Sequence, residues 1–199
     1  MFNLKRMTAA TPDTNKRLLL GAGVYAKNFV VGTDTMESVK AAGRLLATTS
    51  GGGTLTITKN GHYTQIDGLP ENTRGTYILD NWTASSQATV KEYTKDALKL
   101  ALAAAQEADD APEGYTGILP KAGLEDSDYL DNITFIGRLS GSKKPILIQL
   151  FNVFNTQDFS MAPKDGDEAT FQLTLTAHYN VEDTDTPPFA IYYPTEVSE

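Results

Sequence analysis

Phe171–Tyr179 reads FQLTLTAHY, and its alternation decides the fold class. Phe171, Leu173, Leu175 and Ala177 fall on one side; Gln172, Thr174, Thr176 and His178 fall on the other. A period of two marks a strand with one buried face. Downstream, an acidic turn (Glu182, Asp183, Asp185) leads through Pro187-Pro188 into a short aromatic strand, Phe189 to Tyr193. Proline confines a strand to a sheet edge or to its own first residue. The chain is therefore expected to finish on an edge, a surface suited to assembly rather than chemistry.

Working back from there, Pro145 to Phe154 is predicted as a strand. Its ILIQLFN segment sets Ile146, Ile148 and Leu150 against Leu147, Gln149 and Phe151. Tyr129 to Leu139, Tyr115 to Leu119, a segment near Thr76 to Val90, and Arg17 to Val31 also read as strands, with Gly21 and Gly23 permitting a bulge in the last. Asn60-Gly61, set between the alternating runs of Thr54 to Ile66, predicts a tight hairpin. Ala97 to Gln106 (ALKLALAAAQ) is expected to be helical, capped by Thr94 with Asp96 in the first turn. That helix is apolar on nearly every side, so more than one surface should cover it. Gly32 to Gly53 has little pattern beyond one helical turn within Met36 to Leu46, and its triple glycine reads as a hinge. The sum is a mainly β (α+β) chain: two packed antiparallel sheets forming a sandwich or barrel, flanked by one α-helix.

The 199 residues suit one domain with a sizeable core. Hydrophobic residues make up 40% and charged residues 21%, which places the chain among globular proteins. No apolar run approaches the roughly 20 residues of a membrane span, and the N-terminal MFNLKRMTAATPDTNKR lacks an apolar signal core. With no cysteine, disulfides, zinc thiolates and thiol catalysis are excluded. The net charge of −8 argues against tight phosphate binding. Residues 1–104 hold 12 Lys and Arg against 8 Asp and Glu, whereas residues 105–199 hold 5 against 17. Such polarity favours head-to-tail self-association.

No catalytic or cofactor constellation emerges. His62 and His178 each lie beside a tyrosine in a predicted strand, the usual place of a satisfied surface histidine. Gly51-Gly52-Gly53 precedes a strand and lacks the Lys-Ser/Thr of a phosphate loop. Asp126, Asp128 and Asp131, like Glu182, Asp183 and Asp185, lack the glycine-containing spacing of a calcium loop. No nucleophile elbow or Ser/His/Asp set is present. Trp82 reads as core. The expectation is a non-enzyme without metal or cofactor.

LLLGAGVYAKNF, the glycine-rich stretch opening into a strand that closes on Ile66-Asp67-Gly68, TKDALKLALAAA, ILIQLFNVFNTQDFSMAPKDGDEATFQLTLTAHYN and PPFAIYYP occur in an order that resembles the major tail tube protein of long-tailed bacteriophages, the siphovirus type of Gram-positive hosts. The resemblance spans about Leu18 to Pro194. It implies a single tail-tube domain whose six copies form a ring, with inner strands joined into one barrel. Rings stack into a hollow tube for DNA passage. Residues 32–53 would be the stacking loop, with residues 1–16 as an N-terminal arm and 195–199 as a tail. The self-assembly candidates are Met36, Val39, Arg44, Leu45, Leu46, Gly51, Gly52 and Gly53, together with Leu98 and Leu102 on the helix. Implied partners are the chain itself, a tape measure protein, a tail terminator and distal tail or baseplate proteins. Genomic DNA would pass without specific binding, along a lumen whose carboxylates repel phosphate. The location would be the virion tail, reached from the host cytoplasm. An alternative class is a β-sandwich binding module for a receptor or carbohydrate, using Tyr115, Tyr129, Tyr192 and Tyr193.

Overall fold

The computed structural model describes residues 9–11, 13–47, 49–163 and 165–195. Most of the N-terminal arm and all of the tail beyond Thr195 lie outside them. In chain order the elements are β1 (Leu19–Lys27), α1 (Met36–Ala41), β2 (Thr49–Tyr63), β3 (Tyr77–Val90), α2 (Lys95–Leu102), β4 (Ala105–Glu107), β5 (Ile118–Pro120), β6 (Leu130–Leu139), β7 (Ile146–Asn155), β8 (Phe171–Thr176) and β9 (Phe189–Tyr192). The chain is mainly β, as its alternation predicts. One curled antiparallel sheet runs β1-β6-β7-β8-β3-β2, with β9 also on β7 and a small β4-β5 pair apart.

β7 serves both halves of the curl. Its first part pairs with β6 and β9, and its last two residues pair with β8. Leu150 and Val153 are both fully buried in the main core. Residues three apart on a regular strand face opposite sides. Asn152, at φ 49°, resets the parity, so the strand turns from one half to the other without losing its buried face.

The main core fills the inside of the curl. Phe171, Leu173, Leu175 and Ala177 are buried, as their period dictates. Across β3 they meet small partners in register: Phe171 faces Val90, Leu173 faces Ala88 and Leu175 faces Ser86. Large against small interdigitates at native density. Tyr25, Ile133 and Leu150 close the other side, and Ala97 and Ala101 of α2 cover the flank. Full burial of each large apolar side chain contributes about 1.5–3 kcal/mol. A second cluster lies on the opposite face of β1 and β6, where Ala26, Phe29 and Ile136 meet Val39 of α1.

Three expectations need correction. The helix is shorter than its alanine run, ending at Leu102 rather than Gln106. Thr94 caps it as predicted, accepting from Ala97 N at 3.1 Å. Its other end is set by tertiary structure: Ala103 adopts φ 58°, the buried Asn155 amide donates to Ala101 O at 2.7 Å, and residues 105–107 pair with β5. Helix propensity of a few tenths of a kcal/mol per residue yields to these bonds. Asn60-Gly61 is not a turn. Both lie within β2, opposite Asn81 and Leu79, at a register shift that absorbs the glycine, and the real connection runs from Thr64 to Thr76. The Gly32–Gly53 segment carries the helical turn expected within Met36 to Leu46, but its glycines are not a hinge. It holds α1, capped by reciprocal Thr35 and Ser38 bonds, then a bridge from Leu45 to Ala26, and Gly51–Gly53 are part of β2.

Candidate assembly surfaces

The segment after β1 is clamped onto the sheet. Asn132 accepts from Phe29 N at 2.9 Å, and the buried Gln149 amide donates to Phe29 O at 2.7 Å. Arg44 forks onto Asp34 at 2.9 and 2.6 Å and also donates to Asn28 O. The Arg44 hydrogen bond, supported by one from Val30 N, lowers the Asp34 carboxyl to about 2.

This clamp sorts the predicted assembly residues. Val39 is fully buried under α1, and Arg44 is committed to Asp34, so neither lies open to a neighbour. Leu45 packs in the second cluster and Leu46 against the main core. Met36 is partly exposed at the start of α1, and Leu102 is exposed one turn beyond half-buried Leu98. Gly51 and Gly52 take φ 75° and 77° facing open space, whereas a side chain at Gly53 would collide with Tyr25 Oη. The structure thus does not gather the ten candidates into one surface.

Other surfaces stand out. β8 pairs β3 only from Ser85 to Val90. Beyond that, Asn60–Tyr63 and Tyr77–Asn81 form a two-stranded ribbon extending about 15 Å, at roughly 3.3 Å per residue. Ile78, Leu79, Tyr63 and Tyr77 are all 40% or more exposed on it. The sequence signal is Tyr77-Ile78-Leu79, apolar on both faces of one strand. A two-stranded ribbon with this surface is marginal alone. The outer side of β2 carries no strand among the described residues, and β1 has no strand partner on the side away from β6. Leu18, Leu19 and Leu20 are exposed there. The β9 edge presents Ile191 and Tyr192.

Two regions of the β6-β7 layer differ in charge. Where β6 runs into β7, Arg138, Lys143 and Lys144 rim a groove of about 530 Å³ walled by Leu20, Val24 and Met36. The tight turn of Asn180 to Asp185 is held at mid-β7, where Phe151 O accepts from His178 N and Phe151 N donates to Pro188 O. Asp183 N donates to Asn180 O at 3.1 Å, Glu182 N donates to Asn180 Oδ1 at 3.0 Å, and Val181 at its apex is 91% exposed.

No convergent chemistry accompanies these surfaces. Among the described residues no group of three or more His, Cys, Asp or Glu is placed to hold a metal. His62 pairs with Asp80 at 2.9 Å, and His178 stacks on Phe154 at 4.6 Å. Asp128 is engaged by Lys121 at 2.6 Å, which depresses its carboxyl pKa. Tyr129 packs edge-on against Phe154 and His178, so it is not a free aromatic of a ligand platform. Trp82 is half-buried against Phe189.

No protein-family model matches the chain, and no curated protein matches it. Among solved structures, it shows a likeness to a chain of "Virion of native gene transfer agent (GTA) particle", at a TM-score of 0.39 and 10% identity, covering 87% of this chain and 98% of that one. A second is a chain of "Tail of empty GTA particle computed with helical refinement, C6 symmetry", at 0.38 and 11%, covering 87% and 96%. Likeness of this degree does not extend to function.

Proposed function

We propose that the chain is a structural, non-catalytic subunit of a bacteriophage tail, a major tail tube protein that self-assembles into rings, six copies to a ring, stacked as a hollow tube for DNA passage. The observation that carries the reading is the ribbon of β2 and β3, which projects beyond its third strand with Ile78 and Leu79 exposed. Unpaired edges and exposed apolar strands are an aggregation hazard for a monomer. In a ring they become the joints. Covering the exposed halves of Ile78 and Leu79 at each joint contributes on the order of 1 kcal/mol per side chain. The outer side of β2, and that of β1 ahead of Tyr25, where residues 44–46 do not cover it, supply further pairing surface. The order of sequence features that resembles tail tube proteins fits the same role, with the tape measure, terminator and distal tail proteins as partners and the virion tail as location.

Electron microscopy of purified protein over a range of concentrations tests this. Hollow tubes or stacked rings are expected, forming spontaneously or on addition of a tail tip. Replacing Ile78 and Leu79 with lysine should abolish them while shifting monomer stability by no more than about 0.5 kcal/mol, as for exposed sites generally. Compact monomers at every concentration, and with a tail tip present, refute the reading.

A further inference from the structure

Three features remain that the ribbon does not use: the groove beside α1, the basic rim above it and the acidic turn anchored at mid-β7. We propose that they are two halves of one contact, in which residues 180–185 of one copy seat in the groove of the next copy along the tube. Val181 enters the apolar space between Leu20, Val24 and Met36, while Glu182 and Asp183 meet Arg138, Lys143 and Lys144. The inference rests on the self-assembly reading and specifies one axial joint within it.

Four observations support the match. First, the partners are complementary in charge: three cations rim the groove, and three carboxylates (Glu182, Asp183, Asp185) crowd the turn. Second, none of the three cations has an ion-pair partner among the described residues, so their charge is uncommitted within the subunit. Third, the knob is stiff. The Asn180 side chain and carbonyl both hold the turn, and Asp183 Oδ1 accepts from Thr186 N, so little entropy is lost when it docks. A valine 91% exposed at the apex of an ordered turn is an apolar group without a cover. Fourth, the two sites are anchored at different places on β7. Phe151 O accepts from His178 N and Pro188 O accepts from Phe151 N, which holds both legs of the turn at mid-strand, whereas the groove lies where β7 begins. The anchors are five residues of β7 apart, about 17 Å. Because knob and socket are different patches, the contact repeats head to tail where its rotation does not close a ring, and it then builds an open stack.

The absence of cysteine makes the test clean, because introduced thiols are unique. Val181→Cys and Met36→Cys variants, purified separately and mixed under mild oxidation, are expected to give disulfide-linked heterodimers. The yield should be several-fold above that of Val181→Cys mixed with Tyr115→Cys, an exposed control position. Raised salt should cut the yield by screening. Lys143→Glu with Lys144→Glu in the Met36→Cys chain should abolish it, and adding Glu182→Lys with Asp183→Lys to the Val181→Cys chain should restore it. Cross-linking no better than the control overturns the inference, whether or not tubes are seen by microscopy. Specific cross-linking without rings or tubes upholds the contact and counts against the tube reading.

Discussion

Replacing Asn155 with alanine removes four hydrogen bonds from a buried junction. The side-chain amide donates to Ala101 O and Gln157 O, both at 2.7 Å, and its oxygen accepts from Thr174 N at 2.8 Å and Gln157 N at 3.3 Å. Asn155 is 4% exposed, so water cannot take its place without opening the structure. The two most shielded groups left behind are the last-turn carbonyl of α2 and the β8 amide. An orphaned buried backbone group costs about 1–3 kcal/mol. Asn155→Ala should therefore destabilise the monomer by about 2–5 kcal/mol, or about 5–15 °C in Tm at this chain length. Urea unfolding at a concentration too low for assembly would read this as a lower midpoint with an unchanged slope. Asn155→Asp sharpens the test. At neutral pH its carboxylate would set oxygen against the carbonyls of Ala101 and Gln157, so it should be at least as damaging as alanine. Acid should recover part of the loss by restoring one donor. A cost for alanine below about 0.5 kcal/mol, or an aspartate variant as stable as the wild type at neutral pH, would refute this account of how α2 ends.

Two further outcomes are expected. The Asp34 carboxyl titrates near 2, whereas an unfolded aspartate titrates near about 3.9. Its folded pKa is depressed, so the clamp's contribution is complete above the unfolded value and fades as pH falls from about 4 towards 2; an NMR titration giving Asp34 an ordinary pKa would contradict it. At Gly61, a Cβ would lie 2.3 Å from Ile78 O and 2.6 Å from Tyr77 Oη. Gly61→Ala should loosen the ribbon, seen as faster amide exchange at residues 60–63 and 77–81 with β6 and β7 unaffected.

What the sequence disclosed, and what it hid, divides along one line. Where burial follows a strict period, reading is direct: the alternation of Phe171–Ala177 placed β8 and its buried face, and Thr94 marked the start of α2. Reading fails where distant residues overrule local ones. The alanine run after Leu102 has every local reason to stay helical, and Asn155, over fifty positions away, stops it together with the pairing of residues 105–107 with β5. Asn60-Gly61 has the chemistry of a turn, but continued pairing through Asn81 and Leu79 keeps it extended. Eight of the ten assembly candidates fall inside Gly32–Gly53, which the resemblance to tail tube proteins marks as a stacking loop. In fact Asp34, Asn132 and Gln149 tie it down, and exposed apolar residues gather on the ribbon, at Leu18–Leu20, on the β9 edge and at Val181.

The strand order also sets a schedule for synthesis. β1 pairs with β6, so Lys27 leaves the ribosome about 110 residues before Leu139. At about 5–20 residues per second the first strand waits roughly 5–20 s for β6, its one strand partner among the described residues. During that interval Leu18–Leu20 and the bare strand are available to any nascent chain nearby. Long-range pairings of this kind fold late. In a cell making many copies at once, the step most exposed to misassociation is therefore the wait of β1 for β6, before any finished subunit exists to be stacked.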